Sequence, residues 1–459
     1  MWQPDLSNYQ SAMYQAIADE IEKGVKQGKL NVGDKLPTHR ALADQLGVTV
    51  GTVTRGYAEA EKRGTVTARV GSGTFIGSQD KPSSFAILAR ERSQHIDFSL
   101  NLPIPIESNR YLQASLREVA DQVPSLDLVG YQPEKGATHQ RQWAVGWLQS
   151  LGVETMLEQL TITCGGQHGI TLALAATVRP GEHLLCEALT YPGLSAVAAQ
   201  LGIKVTGVEM DAQGIIPESL EEHCKNGHYR ALYCTPVAQN PSNVTMSTQR
   251  QQAILEIAER YHLWVIEDLV SAYYCEDKPI GFYALNPERC LYINSHSKML
   301  AGGLRVGYLV TPKCLNASVA AAIRAHCWFT SPLSVEVAQR WISGEGFASM
   351  EHTIRQELNR RIEAAQAILA PYQCRVQVGS SHCWLSLPEP WRAAEFEAAL
   401  AEKGVAVLSS EPFAVGRFHA PQAVRICLSA PASYDDVVKG LTIIRETLDH
   451  DLVGHLSVF

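Results

Sequence analysis

The 459-residue sequence has no apolar run of the roughly 18–20 residues that a helix needs to span a bilayer, so no membrane-spanning helix is predicted. Its N-terminus lacks the basic-then-apolar pattern of a secretory signal peptide. The eleven cysteines are an odd number and show neither C-x-x-C nor another paired metal-ligand spacing. We therefore expect reduced thiols, a cytoplasmic location, no disulfide framework and no metal site.

The chain also lacks an excess of positive charge. Its 39 basic and 47 acidic side chains give a formal net charge of −8, which does not by itself indicate a nucleic-acid partner. Residues 1–78 nevertheless carry 9 basic and 8 acidic side chains, whereas the remainder carries 30 and 39. The N-terminal part is therefore less acidic than the rest, which permits DNA binding there.

The N-terminal part contains patterns typical of three short helices. Apolar side chains recur every four residues from Tyr9 to Val25, which predicts an amphipathic helix over 8–27. After the turn-rich "GKLNVGDKLP", the segment "THRALADQLGV" predicts a second helix capped by Thr38. The side chains expected to face inward on that helix are Ala41, Leu42 and Leu46.

A turn at Gly47 joins the second helix to a third, which Thr49 can cap and which runs to Gly64. Two helices joined in this way form a helix-turn-helix, in which the start of the second helix meets the major groove. The residues at that start are Thr49, Val50, Gly51, Thr52 and Arg55. The following "TVTARV", "GSG" and "TFI" predict a hairpin, or wing.

The whole segment "GDKLPTHRALADQLGVTVGTVTRGYAEAEKRGTVTARVGSGTFI" resembles the GntR-type winged helix. The resemblance implies that residues 1–78 bind a double-stranded DNA operator and that the protein is nucleoid-associated when bound. It also implies that Arg40 and the first turn of the recognition helix touch DNA, with Gly71 at the tip of the wing. Many relatives carry arginine where this chain has Val50, which removes a donor to phosphate or guanine and leaves the operator sequence open.

The polar residues 79–95, which include proline and paired serines, are predicted to be a linker. From residue 96 onward, short apolar runs alternate with helical patterns. This alternation predicts an α/β fold with a mainly parallel sheet and helices on both faces. Because ligands bind outside the carboxyl ends of strands in such sheets, the informative residues should follow the apolar runs.

Polar groups do follow five of these runs. Each alone is more simply explained as a turn, a helix start or a helix cap, but together they offer a phosphate cradle, an aromatic ring, a carboxylate, an amine and an arginine. Pyridoxal 5'-phosphate requires such a set of groups. The groups are Gly165, Gly166 and Gln167 in "CGGQHGI", Tyr191 in "TYPG", Asn240 in "NPSN", Glu267 and Asp268 in "EDLV", and Ser295, Ser297, Lys298 and Arg305 in "SHSKMLAGGLR".

Residues 96–459 resemble the class I aminotransferase fold of the fold-type I pyridoxal phosphate proteins, and the motif S-x-S-K-x-x-x-x-G-x-R-x-G is matched from Ser295 to Gly307. The resemblance implies a large cofactor-binding domain over 96–330 and a small C-terminal domain over 331–459. A GntR-type winged helix in front of this fold resembles the MocR family of bacterial transcriptional regulators. The implied fold is thus α/β with an N-terminal winged helix-turn-helix.

The same resemblance implies a role for each site residue. Lys298 and Asp268 are the catalytic pair, with Lys298 joined to the cofactor and Asp268 bonded to the pyridine nitrogen. Asn240 bonds the ring hydroxyl and also serves the substrate, whose α-carboxylate is bound by Arg425 of "VRICLSAP". The remaining cofactor contacts are Gly166, Gln167, Ser295, Ser297 and Arg305 around the phosphate, Tyr191 stacked on the ring, and Tyr131 of "YQPEKG", which reaches into the neighbouring subunit's site.

Two positions depart from the family pattern. The family usually has a tyrosine two or three residues after the aspartate, where this chain has Val270 and Ser271, and the nearest tyrosines are Tyr273 and Tyr274. The usual "NPTG" is "NPSN" here, with Asn243 in place of glycine. Which tyrosine, if any, bonds the ring oxygen is left open by the sequence.

The leading hypothesis for function is a homodimeric regulator that senses an amine or amino acid through aldimine exchange at Lys298. Closure of the small domain on Arg425 would then change how the winged helices sit on DNA. One alternative is an active pyridoxal phosphate-dependent aminotransferase with an accessory DNA-binding domain. Another is a sensor of pyridoxal phosphate alone.

Overall fold

The computed structural model describes residues 4, 13–31, 34–62, 65–69, 73–76, 95–106, 108–123, 126–276, 278–416 and 418–456. The chain divides into two compact units, 1–91 and 92–459. Gly71 and nearly all of the predicted linker 79–95 lie outside the described residues. Of the helices that are described, none has the length and apolar character that a membrane crossing needs.

The first unit has the predicted three helices and hairpin. Its elements are α1 Met13–Lys26, α2 His39–Leu46, α3 Val50–Lys62, β1 Val66–Arg69 and β2 Gly73–Ile76. The two strands pair antiparallel, with Val66 opposite Ile76. The helices pack around a small apolar core that includes Ile17, Leu42 and Val53, each fully buried.

Local capping explains where α2 and α3 begin and end. The Thr38 hydroxyl accepts the Ala41 backbone N–H at 3.2 Å, and Gly47 ends α2 in the left-handed region at φ 65°. The Thr49 hydroxyl accepts the Thr52 backbone N–H at 3.2 Å at the start of α3. The threonine caps predicted from the sequence are thus confirmed.

The inward face of α2 differs in part from the prediction. Leu42 is buried as expected and Leu46 is half-buried, but Ala41 is exposed and Ala43 is buried in its place. The buried face of α2 is therefore centred on Leu42 and Ala43, whereas the Ala41 side chain faces outward.

The second unit alternates strands and helices. Its α-helices are α4 Ser108–Gln122, α5 Thr138–Ser150, α6 Gly166–Thr177, α7 Pro192–Gln200, α8 Pro217–Asn226, α9 Thr248–Arg260, α10 Phe282–Leu285, α11 Asn316–His326, α12 Pro332–Ser343, α13 Phe347–Ile368, α14 Ala393–Glu402 and α15 Tyr434–Leu456. Its strands are β3 Ile96–Asp97, β4 Leu160–Thr163, β5 His183–Glu187, β6 Lys204–Val208, β7 Met210–Asp211, β8 Gly214–Ile215, β9 Ala231–Cys234, β10 Trp264–Asp268, β11 Cys290–Ser295, β12 Gly307–Val310, β13 Cys374–Arg375, β14 Cys383–Ser386, β15 Val405–Ala406, β16 Leu408–Ser409 and β17 Ala423–Ile426.

A seven-stranded sheet in the order β4-β12-β11-β10-β9-β5-β6 forms the centre of this unit. Strands β11, β10, β9, β5 and β6 run parallel, and β12 lies antiparallel to both of its neighbours. Strands β4, β9, β11 and β12 are buried along their whole length, because helices cover both faces. The predicted α/β architecture is confirmed, and the parallel strand ends that carry the candidate residues meet at one edge.

A second sheet, in the antiparallel order β13-β14-β17-β16, lies nearer the C-terminus. Strand β3 at the start of the unit pairs with β15, and Phe98 is fully buried in the same apolar cluster as Leu385 and Ile426. The apolar core around the large sheet includes Trp341 and Leu358, whereas Ile362 belongs to the C-terminal core. We therefore propose that the division predicted at 330/331 falls instead within α13.

Candidate functional site

Lys298 follows β11 and lies half-buried, with its Nζ donating to the backbone carbonyl of Asn101. Burial, with the cations Arg425 and Arg305 as further causes, lowers the pKa of the Lys298 amine to about 8, while Asp268 opposes this shift. A larger share of neutral amine is therefore present near neutral pH than at an exposed lysine. The prediction that Lys298 is a reactive amine stays a prediction, but its surroundings suit one.

Asp268 ends β10 and is buried. Its Oδ2 accepts the Tyr233 hydroxyl at 2.7 Å, and its Oδ1 accepts the Val270 backbone N–H at 2.9 Å. Burial raises the pKa of this carboxyl, whereas the Val270 N–H, the Tyr233 hydroxyl and Lys298 each act to lower it. A buried carboxylate with two donors is held in place to meet a cationic group.

The turn between β4 and α6 forms a cradle with the residues around Arg305. Gly165 has φ +83°, and a Cβ atom there would lie 2.7 Å from Arg305 Nη2. A Cβ atom at Gly166 would lie 2.7 Å from Val270 and 3.6 Å from Ser295. Only glycine therefore leaves room at the N-terminus of α6, where free N–H groups favour an anion.

Hydroxyl groups and a guanidinium complete this cradle. The Ser295 and Ser297 hydroxyl oxygens are 2.8 Å apart, and Ser295 also donates to the Val306 carbonyl at 3.0 Å. Arg305 adopts the left-handed conformation at φ 54°, and its Nη2 donates to the Cys164 carbonyl at 3.0 Å. The structure thus brings four of the predicted phosphate contacts to one place: Gly166, Ser295, Ser297 and Arg305.

Gln167 and Tyr191 lie beside the cradle. The Gln167 Nε2 donates to the Gly193 carbonyl at 2.9 Å, and its Oε1 is buried without a hydrogen-bond partner among the described residues. Burial, with Asp268 as a further cause, raises the pKa of the Tyr191 phenol to about 12. The influence of Asp268 on Tyr191 shows that the ring lies within electrostatic range of the buried carboxylate.

Asn240 and Arg425 form a direct pair, as the prediction of a shared substrate region requires. Arg425 Nη1 donates to Asn240 Oδ1 at 2.8 Å, and its Nη2 donates to the Ser99 carbonyl at 2.6 Å. The Arg425 guanidinium is buried and lies 4.9 Å from the centre of the Phe413 ring. Its Nε is buried without a hydrogen-bond partner among the described residues.

Three residues of this region had no role predicted from the sequence. Asn101 meets Lys298 through its carbonyl, and both polar atoms of its side chain are buried and unsatisfied among the described residues. Tyr233 bonds Asp268 from the neighbouring strand. His382 Nε2 lies 3.2 Å from the Gln239 carbonyl, next to Asn240, and burial lowers its pKa to about 3. The sequence offered a signal for Tyr233, which lies near the end of a strand, but none for Asn101 or His382.

The two departures from the family pattern have clear positions. Val270, where a tyrosine is usual, packs against Gly166. Tyr274 donates its hydroxyl to the Met299 carbonyl at 3.1 Å, and Tyr273 stacks on Trp147 in the core.

Asn243, where glycine is usual, has φ 55° and donates to the His382 carbonyl at 2.8 Å. Asparagine tolerates this conformation and here ties the loop to the C-terminal sheet.

Tyr131 lies at the surface of the second unit and joins an aromatic group there. Its side chain is 84% exposed and makes edge contacts with the rings of Trp328 and Phe329, at centroid distances of 6.2 and 6.0 Å. An exposed tyrosine in an aromatic group is typical of a protein interface. The prediction that Tyr131 serves a neighbouring subunit is untested by a single chain.

In the first unit, most of the described residues that are predicted to contact DNA are exposed. Arg40, Thr49, Gly51 and Arg55 are exposed, and Thr52 is half-buried with its hydroxyl 2.9 Å from that of Thr49. Val50 is 43% exposed, so an arginine there would also face outward. Thr49, Val50 and Gly51 lie at the start of α3, the part of a helix-turn-helix that is expected to meet the major groove.

Comparison with known proteins identifies both parts. A family model described as Aminotransferase class I and II matches residues 104–441, and one described as Bacterial regulatory proteins, gntR family, matches residues 13–76. The chain is 31% identical over 450 residues to YdeF of Bacillus subtilis, an uncharacterized HTH-type transcriptional regulator, covering 98% of this chain and 97% of YdeF. It is 28% identical over 311 residues to the HTH-type pyridoxine biosynthesis transcriptional regulator PdxR of Corynebacterium glutamicum, covering 64% and 65% of the two chains.

Solved structures support the fold of the second unit. The kynurenine aminotransferase of Pyrococcus horikoshii superposes with a TM-score of 0.73 at 24% identity, over 82% of this chain and 96% of that one. LysN of Thermus thermophilus, an alpha-aminoadipate aminotransferase, superposes with a TM-score of 0.72 at 22% identity, over 81% and 96%. The chain therefore belongs to the aminotransferase class I and II family, carries a GntR-type helix-turn-helix in front of it, and is a transcriptional regulator of the MocR-type architecture.

Proposed function

We propose that this regulator binds pyridoxal 5'-phosphate at Lys298 and senses an amine or amino acid there. The observation that carries the proposal is the setting of Lys298. Its amine has a pKa lowered to about 8 and lies within electrostatic range of Asp268, Arg305 and Arg425. One amine is thus surrounded by a carboxylate for a ring nitrogen, an arginine for a phosphate and an arginine for a carboxylate.

The residues present fit this cofactor. The glycine turn, Ser295, Ser297 and Arg305 would hold the phosphate, and Asp268 would hold the ring nitrogen in its protonated form. The unsatisfied Oε1 of Gln167 and the unsatisfied side chain of Asn101 lie at the cradle and beside Lys298, as expected where a polar ligand supplies the partners. Pyridoxal phosphate, when bound, supplies an aldehyde that reacts with amines and a ring that accepts electrons.

Arg425 provides the means to sense an amino acid. Its Nη2 donates to the Ser99 carbonyl, and Ser99 follows β3, which pairs with β15 of the C-terminal part. We propose that an effector carboxylate replaces the Ser99 carbonyl as the partner of Arg425. The exchange would release β3 and change the packing of the C-terminal part, which is a difference between two states that effector binding can select.

A homodimer is the proposed assembly. The exposed ring of Tyr131, with Trp328 and Phe329 beside it, would complete the site of a second copy. Two copies would present two helix-turn-helix units to repeated or palindromic half-sites of double-stranded DNA. Sedimentation of the full-length protein tests this proposal, since a monomer at micromolar concentration contradicts it.

A second candidate function is an active aminotransferase, which the direct bond between Arg425 and Asn240 favours. A single-turnover reaction separates the candidates. Release of a keto acid with conversion of the cofactor to its amine form supports the enzyme. A changed cofactor spectrum together with changed DNA affinity, without keto acid, supports the sensor. No response to any amino acid supports a sensor of pyridoxal phosphate alone.

A further inference from the structure

Cys164 and His168, which are four residues apart, lie beside Cys327, which is 163 positions from Cys164 in the sequence. The Sγ atoms of Cys164 and Cys327 are 3.8 Å apart, and His168 Nε2 lies 4.0 Å from Cys327 Sγ. The three ligand atoms lie within 4.8 Å of one another. Cys327 ends α11 and is exposed, whereas Cys164 precedes Gly165 and is half-buried. The sequence, which lacks paired cysteine spacing, gave no sign of this group.

We propose that Cys164 and Cys327 form a reversible intramolecular disulfide when the protein meets a hydroperoxide. A disulfide needs its sulfurs about 2.0 Å apart. The 3.8 Å separation is therefore closed by rotation of the side chains and a small shift at the exposed end of α11. Cys327 is exposed in the single chain, and hydrogen peroxide is small enough to reach the pair beside a neighbouring subunit.

The state of His168 favours a disulfide over a metal site. The Cys164 backbone N–H donates to His168 Nδ1 at 3.0 Å, and burial lowers the pKa of the His168 ring to about 4. The ring is therefore neutral near pH 7 and carries its proton on Nε2, so that Nε2 is a donor toward Cys327 rather than a metal ligand.

Only one of the two sulfurs has to ionise for a disulfide to form. Desolvation by neighbouring groups and the nearby Cys164 sulfur raise the pKa of the Cys327 thiol to about 12, so a group that stabilises the thiolate should speed the reaction. A donor from His168 near the sulfurs stabilises the single thiolate that begins the reaction.

The chemistry balances with hydrogen peroxide as the oxidant. The thiolate of one cysteine attacks a peroxide oxygen, the O–O bond breaks, and the departing hydroxide takes a proton to become water. The second thiol then attacks the sulfur of the sulfenic acid, the S–O bond breaks, and a second water leaves with the thiol proton. Two electrons pass from the two sulfurs to the peroxide.

The bridge would fasten the turn that carries Gly165 and Gly166 to the end of α11. If the proposed function also holds, the bridged protein should exchange pyridoxal phosphate several-fold more slowly, because the cross-link restricts opening of the cradle. An unchanged exchange rate would overturn the proposed effect of the disulfide on cofactor exchange, but not the proposal that the disulfide forms. If the protein binds no pyridoxal phosphate, the proposed function fails, but formation of the disulfide can still be tested by measuring the thiols.

The experiment treats the reduced, full-length protein with stoichiometric hydrogen peroxide, blocks the remaining thiols, and maps the peptides by mass spectrometry. We expect one linked peptide pair containing Cys164 and Cys327, the loss of two free thiols per chain, and reversal by dithiothreitol. Cys164→Ser and Cys327→Ser should each abolish the link, whereas Cys314→Ser, at an exposed cysteine outside the group, should leave it unchanged. His168→Gln should slow the reaction several-fold.

Three outcomes overturn the proposal. The first is that Cys164 and Cys327 stay reduced, or that Cys327 oxidises to a sulfinic acid without a link. The second is a link of either cysteine to a different partner. The third is stoichiometric zinc in the purified protein that is lost in Cys327→Ser, which would assign the group to a metal. Because the link is mapped in the unaltered protein, the test does not depend on the folding of any variant.

Discussion

The two units place their candidate functional residues in opposite environments. Arg40 and Arg55 in the first unit are exposed on a helix-turn-helix. Asp268 and Arg425 in the second are 7% and 6% exposed, and each holds hydrogen bonds that fix its direction. The exposed residues are suited to long-range, salt-dependent attraction to phosphates. The buried residues are suited to selecting one small molecule, since a wrong ligand leaves their polar atoms unpaired.

The largest effect is expected from a change in the buried group. Arg425→Lys keeps the charge but loses the planar fork, so binding of a carboxylate effector should weaken by about 2–5 kcal/mol, which is roughly thirtyfold to several thousandfold. A titration of amino acids that follows the cofactor spectrum measures the loss. Arg375→Lys, at an exposed arginine that donates to the Ser242 carbonyl, is the matched control. Equal losses in both variants would contradict the role of Arg425.

A smaller effect is expected in the exposed group. Arg55→Ala should weaken operator binding by about 1–3 kcal/mol and leave the cofactor spectrum unchanged. Fluorescence anisotropy of labelled DNA at fixed salt measures the affinity. Lys29→Ala removes the same charge from an exposed position in the turn after α1 and serves as control. If Arg55→Ala binds DNA as tightly as the unaltered protein, the helix-turn-helix surface is assigned wrongly.

Acid should lower the stability of the second unit, because two buried histidines that are neutral in the folded chain lie there. Burial lowers the pKa values of His296 and His382 to about 3, below the unfolded value of about 6.5. As pH falls below 6.5, the unfolded chain takes up protons that the folded chain does not. Each histidine therefore removes on the order of 2 kcal/mol of stability at pH 5.

Urea unfolding followed by tryptophan fluorescence measures this acid effect. Seven of the eight tryptophans lie in the second unit, so the signal reports mainly on that unit. His382→Gln, which keeps a donor for the Gln239 carbonyl, should reduce the loss between pH 7 and 5. His228→Gln, at an exposed histidine, should not. An equal loss in both variants would show that His382 is not the source.

The smallest effect is expected from adding a positive charge to the exposed surface of the first unit, which should change DNA affinity only slightly. Val50 is 43% exposed at the start of α3, where many GntR-type relatives have arginine. Val50→Arg should strengthen DNA binding and steepen the dependence of log affinity on log salt by about one. The same titration at several salt concentrations measures the slope. An unchanged slope would mean that this side chain does not reach a phosphate.

The sequence predicted best what depends on neighbouring residues. The caps Thr38 and Thr49 and the run of strand-end groups up to Arg305 follow from local patterns, and the structure brings most of these groups together. Contacts that join distant segments were not predictable. Asn101 meets Lys298 across 197 positions of the chain, and β3 pairs with β15, because only the folded topology places them side by side.

The same limit explains the thiol pair and the position of Tyr131. Cys164 and Cys327 are separated by 163 positions, so no spacing rule could pair them. The role of Tyr131 depends on a second chain, about which one sequence carries no direct signal. Patterns within about ten residues thus predicted the local helices, strands and caps, whereas contacts between distant segments could be seen only in the structure.

Each function proposed for the second unit requires that Lys298 holds pyridoxal 5'-phosphate. The most direct measurement incubates the protein with the cofactor, reduces it with borohydride, and maps the labelled lysine, alongside the visible absorbance of the unreduced sample. Lys135 is the matched control, since burial lowers its pKa to about 8 as well, but its Nζ bonds the Glu158 carbonyl and Asn316 instead.

We predict that the label is found on Lys298, that Lys298→Ala loses both label and absorbance, and that Lys135→Ala keeps both. Operator binding should survive in Lys298→Ala, because the residues predicted to contact DNA lie in the other unit. The same absorbance in the unaltered protein and in Lys298→Ala would contradict the account.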